Sequence, residues 1–296
     1  VLQSHSVNYK MNLSKKNVLE MARKLTDVSL KSLNFEKFQE MEEGLMVLRN
    51  EKDPSASFEM DTRSGNFLYN GGLGEYKNDG DTPNLILGEK ASSIALQHLE
   101  KLGLLPNKQE LNLVNIGGLN MAVLKKDSTT DVYKKLVTVR YNRKLADIPV
   151  MGESRIILHM GKNGKLAGLT YYWGEIVDKR KIEIGEVLTD KEIKRELESR
   201  LRAAARDAKR IIVKKADFVL YDDGRGHIEP AYHVQARLFY EASDKKGEKK
   251  IQKYDIPYDF YIPVLKNPLA FYPYMETAKV QPTDARKLEI TPKDDE

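Results

Sequence analysis

The five histidines are the first residues to consider, because imidazole can act as a general base and can bind metals. None lies in an H-E-x-x-H pattern, so the sequence contains no zincin motif. His227, Glu229 and His233 would share one face of a strand, where they could hold a metal ion. The alternative is that these residues simply begin an ordinary strand, and we favour it. We therefore predict no metal and no cofactor. We expect His98, at the edge of a helical stripe, to be packed and neutral. The histidines are His5, His98, His159, His227 and His233.

Acidic and glycine-rich stretches offer little further chemistry. The stretches 78–81 and 222–223 carry hard oxygen ligands that could bind calcium, but neither has the remaining ligands of an EF-hand loop, so we interpret both as turns. No G-x-S-x-G, P-loop or G-x-G-x-x-G motif occurs, and we interpret the glycines of 71–74 as a surface loop. Nothing in the sequence brings Asp217 to Asp222, or Glu153 to Glu175, as an acid–base pair. We therefore predict that the protein is not an enzyme.

Composition excludes further classes. The 296-residue chain has no cysteine, which removes disulfide scaffolds, thiolate metal sites and cysteine nucleophiles and favours an exported protein. We expect an extracellular or cell-surface location, with any signal peptide already removed. No apolar run is long enough to span a membrane. The net charge of +5 is concentrated in residues 179–215, with 13 basic against 7 acidic residues. Because the two signs are interleaved, we predict a structural helix and strand there and no nucleic-acid site.

Periodicity in the first half of the chain predicts the elements that would position any site. Apolar spacing indicates amphipathic helices at 14–33 and 91–102, the second ending at Gly103. Residues 104–131 are mixed, and we take Gly117-Gly118 as a break. Asn163-Gly164 predicts a tight hairpin turn, and we expect residues 134–173 to form a three-stranded antiparallel meander. Alternating stretches predict strands at 45–49, 58–60, 67–69, 137–141, 156–160 and 166–173.

The second half repeats this order of helix and then strands. Thr189 and Glu192 form a capping box ahead of an apolar stripe from Ile193 to Ala208. Strands are predicted at 211–221, 231–242 and 251–262. We therefore predict an α+β protein of two domains, each with a helix packed on an antiparallel β-sheet meander. The predicted divisions are a flexible N-terminus at 1–12, an N-terminal domain at 13–178, a second domain at 179–275 and a polar tail at 276–296.

Residues 254–274, here called the aromatic arm, combine seven aromatic residues with four prolines. Prolines at this density forbid a helix and suit an edge strand followed by an extended segment. One interpretation is a surface for a protein or sugar partner, because tyrosine presents a flat apolar face with a polar end. The alternative is that the arm packs across its own domain. The candidate binding residues in the arm are Tyr254, Tyr258, Tyr261, Phe271, Tyr272 and Tyr274.

Residues 137–173 resemble the propeptides of secreted thermolysin- and fungalysin-like metalloproteases. Those propeptides carry a strand, a turn of the type G-I-P-V-x-G, a strand ending near a histidine, and a D-G turn. Ile148-Pro149-Val150-Met151-Gly152 and Asn163-Gly164 occupy those places here, with Asp147 in place of the first glycine. The stretch from Glu229 to Val234, opening a strand after a helix–strand pair, is similar to a PepSY domain, the other module of these propeptides. The resemblance implies protein binding, with Pro149 and Gly152 shaping the strand edge.

The sequence thus predicts an exported, non-catalytic protein-binding module, for example an inhibitor or chaperone of an extracellular metalloprotease. Two alternatives stay open. One is a structural surface or matrix protein that self-assembles through strand edges and the aromatic arm. The other is a hydrolase with a site that the motifs do not reveal.

Overall fold

The computed structural model of the protein describes residues 2–29, 37–40, 44–50, 53, 55–73, 82–205, 207–242 and 252–273. The chain divides into a central unit, residues 8–176, and a terminal unit formed by residues 1–7 and 177–296. No helix among the described residues has both the length and the apolar character needed to cross a membrane. The helices are α1 Lys15–Val28, α2 Glu89–Leu102 and α3 Asp190–Ala204. The strands are β1 Gln3–Val7, β2 Lys37–Glu40, β3 Leu45–Arg49, β4 Ser57–Asp61, β5 Phe67–Asn70, β6 Leu111–Leu124, β7 Thr130–Leu145, β8 Ile148–Gly152, β9 Arg155–Met160, β10 Leu166–Tyr172, β11 Ile176–Lys181, β12 Arg210–Asp222, β13 His227–Ala242 and β14 Gln252–Pro263.

The sheet of the central unit runs in the order β6-β7-β9-β10-β5-β4-β3-β2, with antiparallel pairing at each step. The core of this unit includes buried residues that recur at helical spacing on α1 and α2. These are Val18, Ala22 and Leu25 on α1 and Ala91, Ala95 and Leu99 on α2. The strands contribute the large buried side chains Phe58, Phe67, Tyr69, Leu158 and Leu169.

Local signals decide where the elements of the central unit begin and end. Ser14 and Asn17 form a capping box at the start of α1, and Gly103 ends α2 in the left-handed conformation at φ 70°. Asn163 and Gly164 both have positive φ in the turn between β9 and β10, as a primed hairpin turn requires. The predicted meander is confirmed: β7 pairs with β9 and β9 with β10. The short strand β8 is an addition, pairing with the end of β7 at Leu145↔Ile148.

In the terminal unit, β13 is the central strand. It pairs with β12 along one side, and with β1 and then β14 along the other. The α3 residue Leu201 packs against Val213, Val234, Phe260 and Ile262 of this sheet. The predicted capping box of α3 is confirmed at Thr189 and Glu192. The first residues, predicted to be loosely held, instead form β1, whose His5 lies opposite Ile228.

The predicted α+β class, with a helix on a meander in each of two domains, is wrong. The described part of the chain is mostly β-sheet, with 49% of its residues in strands against 22% in helices. One reason lies in residues 104–131. The glycine pair Gly117-Gly118 predicts a break, whereas both glycines lie inside the 14-residue strand β6, which pairs with the 16-residue strand β7. Glycine weakens a strand through its conformational entropy, but pairing with β7 on both sides of the two glycines holds them in the strand.

Candidate functional site

Much of the aromatic arm is part of the terminal unit's sheet. Its residues 254–263 belong to β14, which pairs with β13 from Ala242↔Gln252 to Ala231↔Pro263. Tyr254 stacks on Tyr240 at 5.4 Å between ring centroids, and Tyr261 stacks on His233 at 4.9 Å. Cross-strand aromatic pairs of this kind stabilise the sheet that contains them. These rings therefore have partners within their own unit.

The residues that follow, 264–273, are here called the C-terminal segment, and backbone hydrogen bonds hold them to the same unit. The N–H of Leu269 donates to both carboxylate oxygens of Glu229 at 3.1 Å, and the N–H of Ala270 donates to one of them at 3.1 Å. The N–H of Phe271 donates to Asp223 Oδ2 at 3.0 Å. Glu229 is only 1% exposed. A buried carboxylate must be hydrogen-bonded in this way, and here its donors come from the C-terminal segment.

The candidate binding residues of the arm therefore differ in accessibility. Tyr272 is 3% exposed and its ring lies 4.8 Å from that of Tyr221, so it offers no surface to a partner. Burial, together with the charge of Glu229, raises the pKa of Tyr272. Tyr254 and Phe271 are exposed, and the guanidinium of Arg225 lies over the Phe271 ring at 3.8 Å. Tyr258 is partly buried, and Tyr274 lies outside the described residues.

The two candidate residues of the central unit lie on β8. Pro149 is exposed opposite Lys144, and Gly152 has a positive φ of 99° at the end of the strand. Val150 between them is fully buried. The structure thus places Pro149 and Gly152 on a short strand at the end of β7, apart in sequence and in unit from the aromatic arm.

The histidines take part in packing. The His227–His233 strand pattern has its carboxylate, Glu229, already engaged by backbone N–H groups. No cluster of three or more His, Asp or Glu side chains suited to a metal occurs among the described residues. His98 Nε2 lies 2.8 Å from the Gly164 carbonyl oxygen, and burial lowers the pKa of His98. The expected packed position of His98 is therefore confirmed, and its lowered pKa favours the neutral imidazole.

The central unit also contains a cavity of about 340 Å³ between α1 and the ends of the sheet strands. Its apolar lining includes Met11, Met21, Met60, Phe67, Tyr171 and Trp173. One rim carboxylate, Glu20, is paired with Lys24 at 3.3 Å. A second carboxylate, Glu175, also lines the cavity. The largely apolar lining suits an apolar side chain.

The feature that sequence reasoning missed is the free edge of β6. Its residues pair with β7 from Leu111↔Arg143 to Leu124↔Thr130. Among the described strands β7 is its only neighbour, so the other side of β6, here called the β6 edge, presents unpaired N–H and C=O groups. The sequence of β6 is LNLVNIGGLNMAVL, which contains no charged residue and no proline. Its exposed large side chains are Leu113, Val114, Leu119 and Leu124.

Other edges among the described strands are protected by charge, proline or brevity. The outer side of β14 is also unpaired, but β14 carries Lys253, Asp255 and Asp259, and prolines at 257 and 263. The edge strand β2 has only four residues, KFQE. Natural sheets use these devices to discourage pairing with other chains, and β6 has none of them in its sequence. Its pairing with β7 does contain two register shifts, which bend the ribbon locally.

The turn that joins β6 to β7 is held by side-chain contacts. Lys125 Nζ lies 2.8 Å from Asp131 Oδ2, and the hydroxyl of Tyr133 donates to the same oxygen at 3.0 Å. These two hydrogen bonds hold the pKa of Asp131 below its usual value. Asp127 accepts hydrogen bonds from Thr129 within the turn, which lowers its pKa in the same way. The charges of the hairpin thus lie at its tip and on β7, away from the β6 edge.

The close approach of β7 requires a glycine at one position of β6. A Cβ atom on Gly118 would lie 2.1 Å from the carbonyl oxygen of Leu136, closer than any real contact. At Gly117 a Cβ atom would meet only the end of the Asn115 side chain, at 3.2 Å. Gly118 is therefore required by the close approach of the two strands, whereas Gly117 has room for a side chain.

Comparison with known proteins assigns no function. No known protein family matches the chain, and no curated protein is similar to it in sequence. Among solved structures, the chain is similar to an uncharacterized protein from Eubacterium rectale, with 13% sequence identity and a TM-score of 0.48. That alignment covers 90% of this chain and 84% of the other.

Proposed function

We propose that the protein is a non-catalytic protein-binding module that pairs the β6 edge with an extended segment of a partner protein. The observation that carries this proposal is the 14-residue edge strand without charge or proline. An extended peptide can add a strand to such an edge, with main-chain hydrogen bonds supplying affinity and alternate side chains supplying specificity.

The edge is long enough for useful affinity. About half of the residues of an edge strand direct their N–H and C=O groups away from the paired neighbour, and each main-chain hydrogen bond contributes roughly 0.5–1.5 kcal/mol net. The exposed side chains Leu113, Val114 and Leu119 add apolar contacts along the same strand. A partner segment of matching length would therefore gain both kinds of contact.

The resemblance to metalloprotease propeptides supports a secreted protease as the partner and an extracellular or cell-surface location. The resemblance covers residues 137–173, from within β7 to just past β10, and β7 is the strand that positions β6. Restraint would act by covering the protease cleft, because an extended chain can lie along such a cleft through main-chain hydrogen bonds.

The test is a titration of a thermolysin-like protease with the intact protein, followed by hydrogen exchange of the complex. We expect inhibition at micromolar concentrations and slower amide exchange in β6. Val114→Lys should weaken inhibition, because a lysine discourages pairing at an edge. Ile256→Lys on β14 is the matched control, since the two side chains are 48% and 45% exposed.

The outcomes separate two parts of the proposal. Inhibition without any change of β6 exchange would contradict the role of the β6 edge. Absence of inhibition by a chain shown to be folded by circular dichroism would contradict the protease as partner.

A further inference from the structure

The β6 edge has an unusual charge environment for this protein. The chain carries a net charge of +5, so two copies repel each other at long range. Within residues 111–124 there is no charge at all, so a second β6 strand can lie alongside the first without placing like charges opposite each other. A foreign strand gains no charge complementarity from this edge, whereas a copy of β6 matches it in length and in neutrality.

We infer that the β6 edge pairs with the β6 edge of a second copy of this chain, antiparallel and about a two-fold axis at Gly117. This inference rests on the proposed strand pairing: a second copy of the chain takes the β6 edge when no protease occupies it. A closed two-fold contact uses the same surface on both copies, so where residue i of one copy faces residue j of the other, j also faces i, and only the residue on the axis faces itself. With the axis at Gly117, residues 111–114 of one copy lie beside residues 120–123 of the other.

The glycine at the centre favours this arrangement. Gly117 lies at the middle of the strand and presents no side chain at the axis, where two identical side chains would otherwise meet. The space around it accepts a Cβ atom, because the nearest atom belongs to the flexible Asn115 side chain at 3.2 Å. Position 117 can therefore be substituted without displacing β7, which makes it a direct probe of the axis.

The first experiment is disulfide cross-linking of single-cysteine variants, which the cysteine-free chain allows without background. Under oxidation, Gly117→Cys should form a covalent dimer, because the two sulfurs face each other across the axis. Leu124→Cys should not, since the rise of about 3.3 Å per residue places the two copies of this residue roughly 46 Å apart. Ile256→Cys on the protected edge β14 is a second negative control.

The second experiment introduces a charged side chain at the axis and measures self-association by sedimentation velocity. Gly117→Lys and Gly117→Glu should each associate roughly two- to fivefold more weakly than the unmodified chain, because like charges then lie opposite each other. An equimolar mixture of the two variants should associate at least as strongly as the unmodified chain. Gly117→Ala should associate as the unmodified chain does.

The results distinguish this inference from the proposed function. A chain that stays monomeric throughout the micromolar range, or lysine and glutamate variants that associate unchanged, would overturn the two-fold pairing. If a protease still slows β6 exchange in that case, the proposed function stands and only the pairing with a second copy is wrong. Dimers that cross-link through Leu124→Cys instead would also overturn the axis at Gly117.

Discussion

Replacing Glu229 by glutamine should release the C-terminal segment from the terminal unit. The Glu229 carboxylate is 1% exposed and accepts the N–H groups of Leu269 and Ala270. A glutamine has the same shape but only one acceptor oxygen, and its amide group would point two donors at a backbone donor. The substitution therefore removes one charge-assisted hydrogen bond and leaves a buried donor without an acceptor.

The magnitude follows from these two losses. A hydrogen bond to a charged group contributes about 1.5–3 kcal/mol, and a buried unsatisfied donor costs about 1–3 kcal/mol. The burial of Glu229 means that solvent screening removes little of this energy. Because the segment can relax and recover part of the loss, we expect its opening free energy to fall by roughly 2–4 kcal/mol. Amide exchange at Leu269 and Ala270 should then be roughly 30- to 1,000-fold faster.

The assay is native-state hydrogen exchange of the segment, with fluorescence of the single tryptophan, Trp173, as a check on the central unit. The matched control is Glu241→Gln on the same strand, β13. Its carboxylate is 40% exposed and lies 3.6 Å from Lys253, so its loss should change exchange by less than about fivefold. Exchange at Leu269 that is equally slow in the Glu229 variant and the control would refute the claim that this carboxylate holds the segment.

Three further predictions concern the central unit, and each can be measured by urea unfolding followed through the single tryptophan. Gly118→Ala should destabilise it by roughly 1–3 kcal/mol, because the new Cβ atom forces β6 away from the Leu136 carbonyl; an unchanged urea midpoint would contradict the close approach. Burial lowers the pKa of His98 and His159 below 6.5, so the unfolded chain binds more protons below that pH. Stability should be complete above pH 6.5 and fall as the pH drops toward the folded pKa values, and replacing both residues by glutamine should reduce this slope. Arg143→Ala should cost roughly 2–4 kcal/mol, because it removes a buried guanidinium that donates to the Gly174 carbonyl and forms an ion pair with Glu110 at 3.3 Å. A loss below about 0.5 kcal/mol, the scale of surface substitutions, would show that these contacts are dispensable.

Local chemistry in the sequence is sufficient to predict several elements of this protein. Ser14, Thr189 and Gly103 mark helix ends through hydrogen bonds and backbone conformations that involve only neighbouring residues. Asn163-Gly164 predicts its turn for the same reason, since both residues tolerate positive φ. The meander of β7, β9 and β10 follows from alternation along each strand and from that turn.

The fold class and the candidate site depend on contacts between distant residues. Gly117-Gly118 is a break by local propensity, but pairing with residues 137–138 of β7 makes it the middle of a strand. Whether β6 is an edge depends on which strands surround β7, and alternation within β6 does not reveal that. The absence of charge and proline from residues 111–124 was visible in the sequence, but it becomes a binding signal only once the strand is known to be at an edge.

In the aromatic arm too, the sequence predicts the local conformation, but tertiary contacts decide how the arm packs. Its tyrosines and prolines are a sequence property, and they indicate an extended chain rather than a helix. Its packing is decided by Glu229, about 40 residues earlier in the chain, whose buried carboxylate requires donors that the C-terminal segment supplies. Residue types and local spacing thus determined the elements of this protein, whereas burial and strand pairing between distant residues decided which surfaces stay open, because the cost of an unpaired polar group depends on the tertiary structure around it.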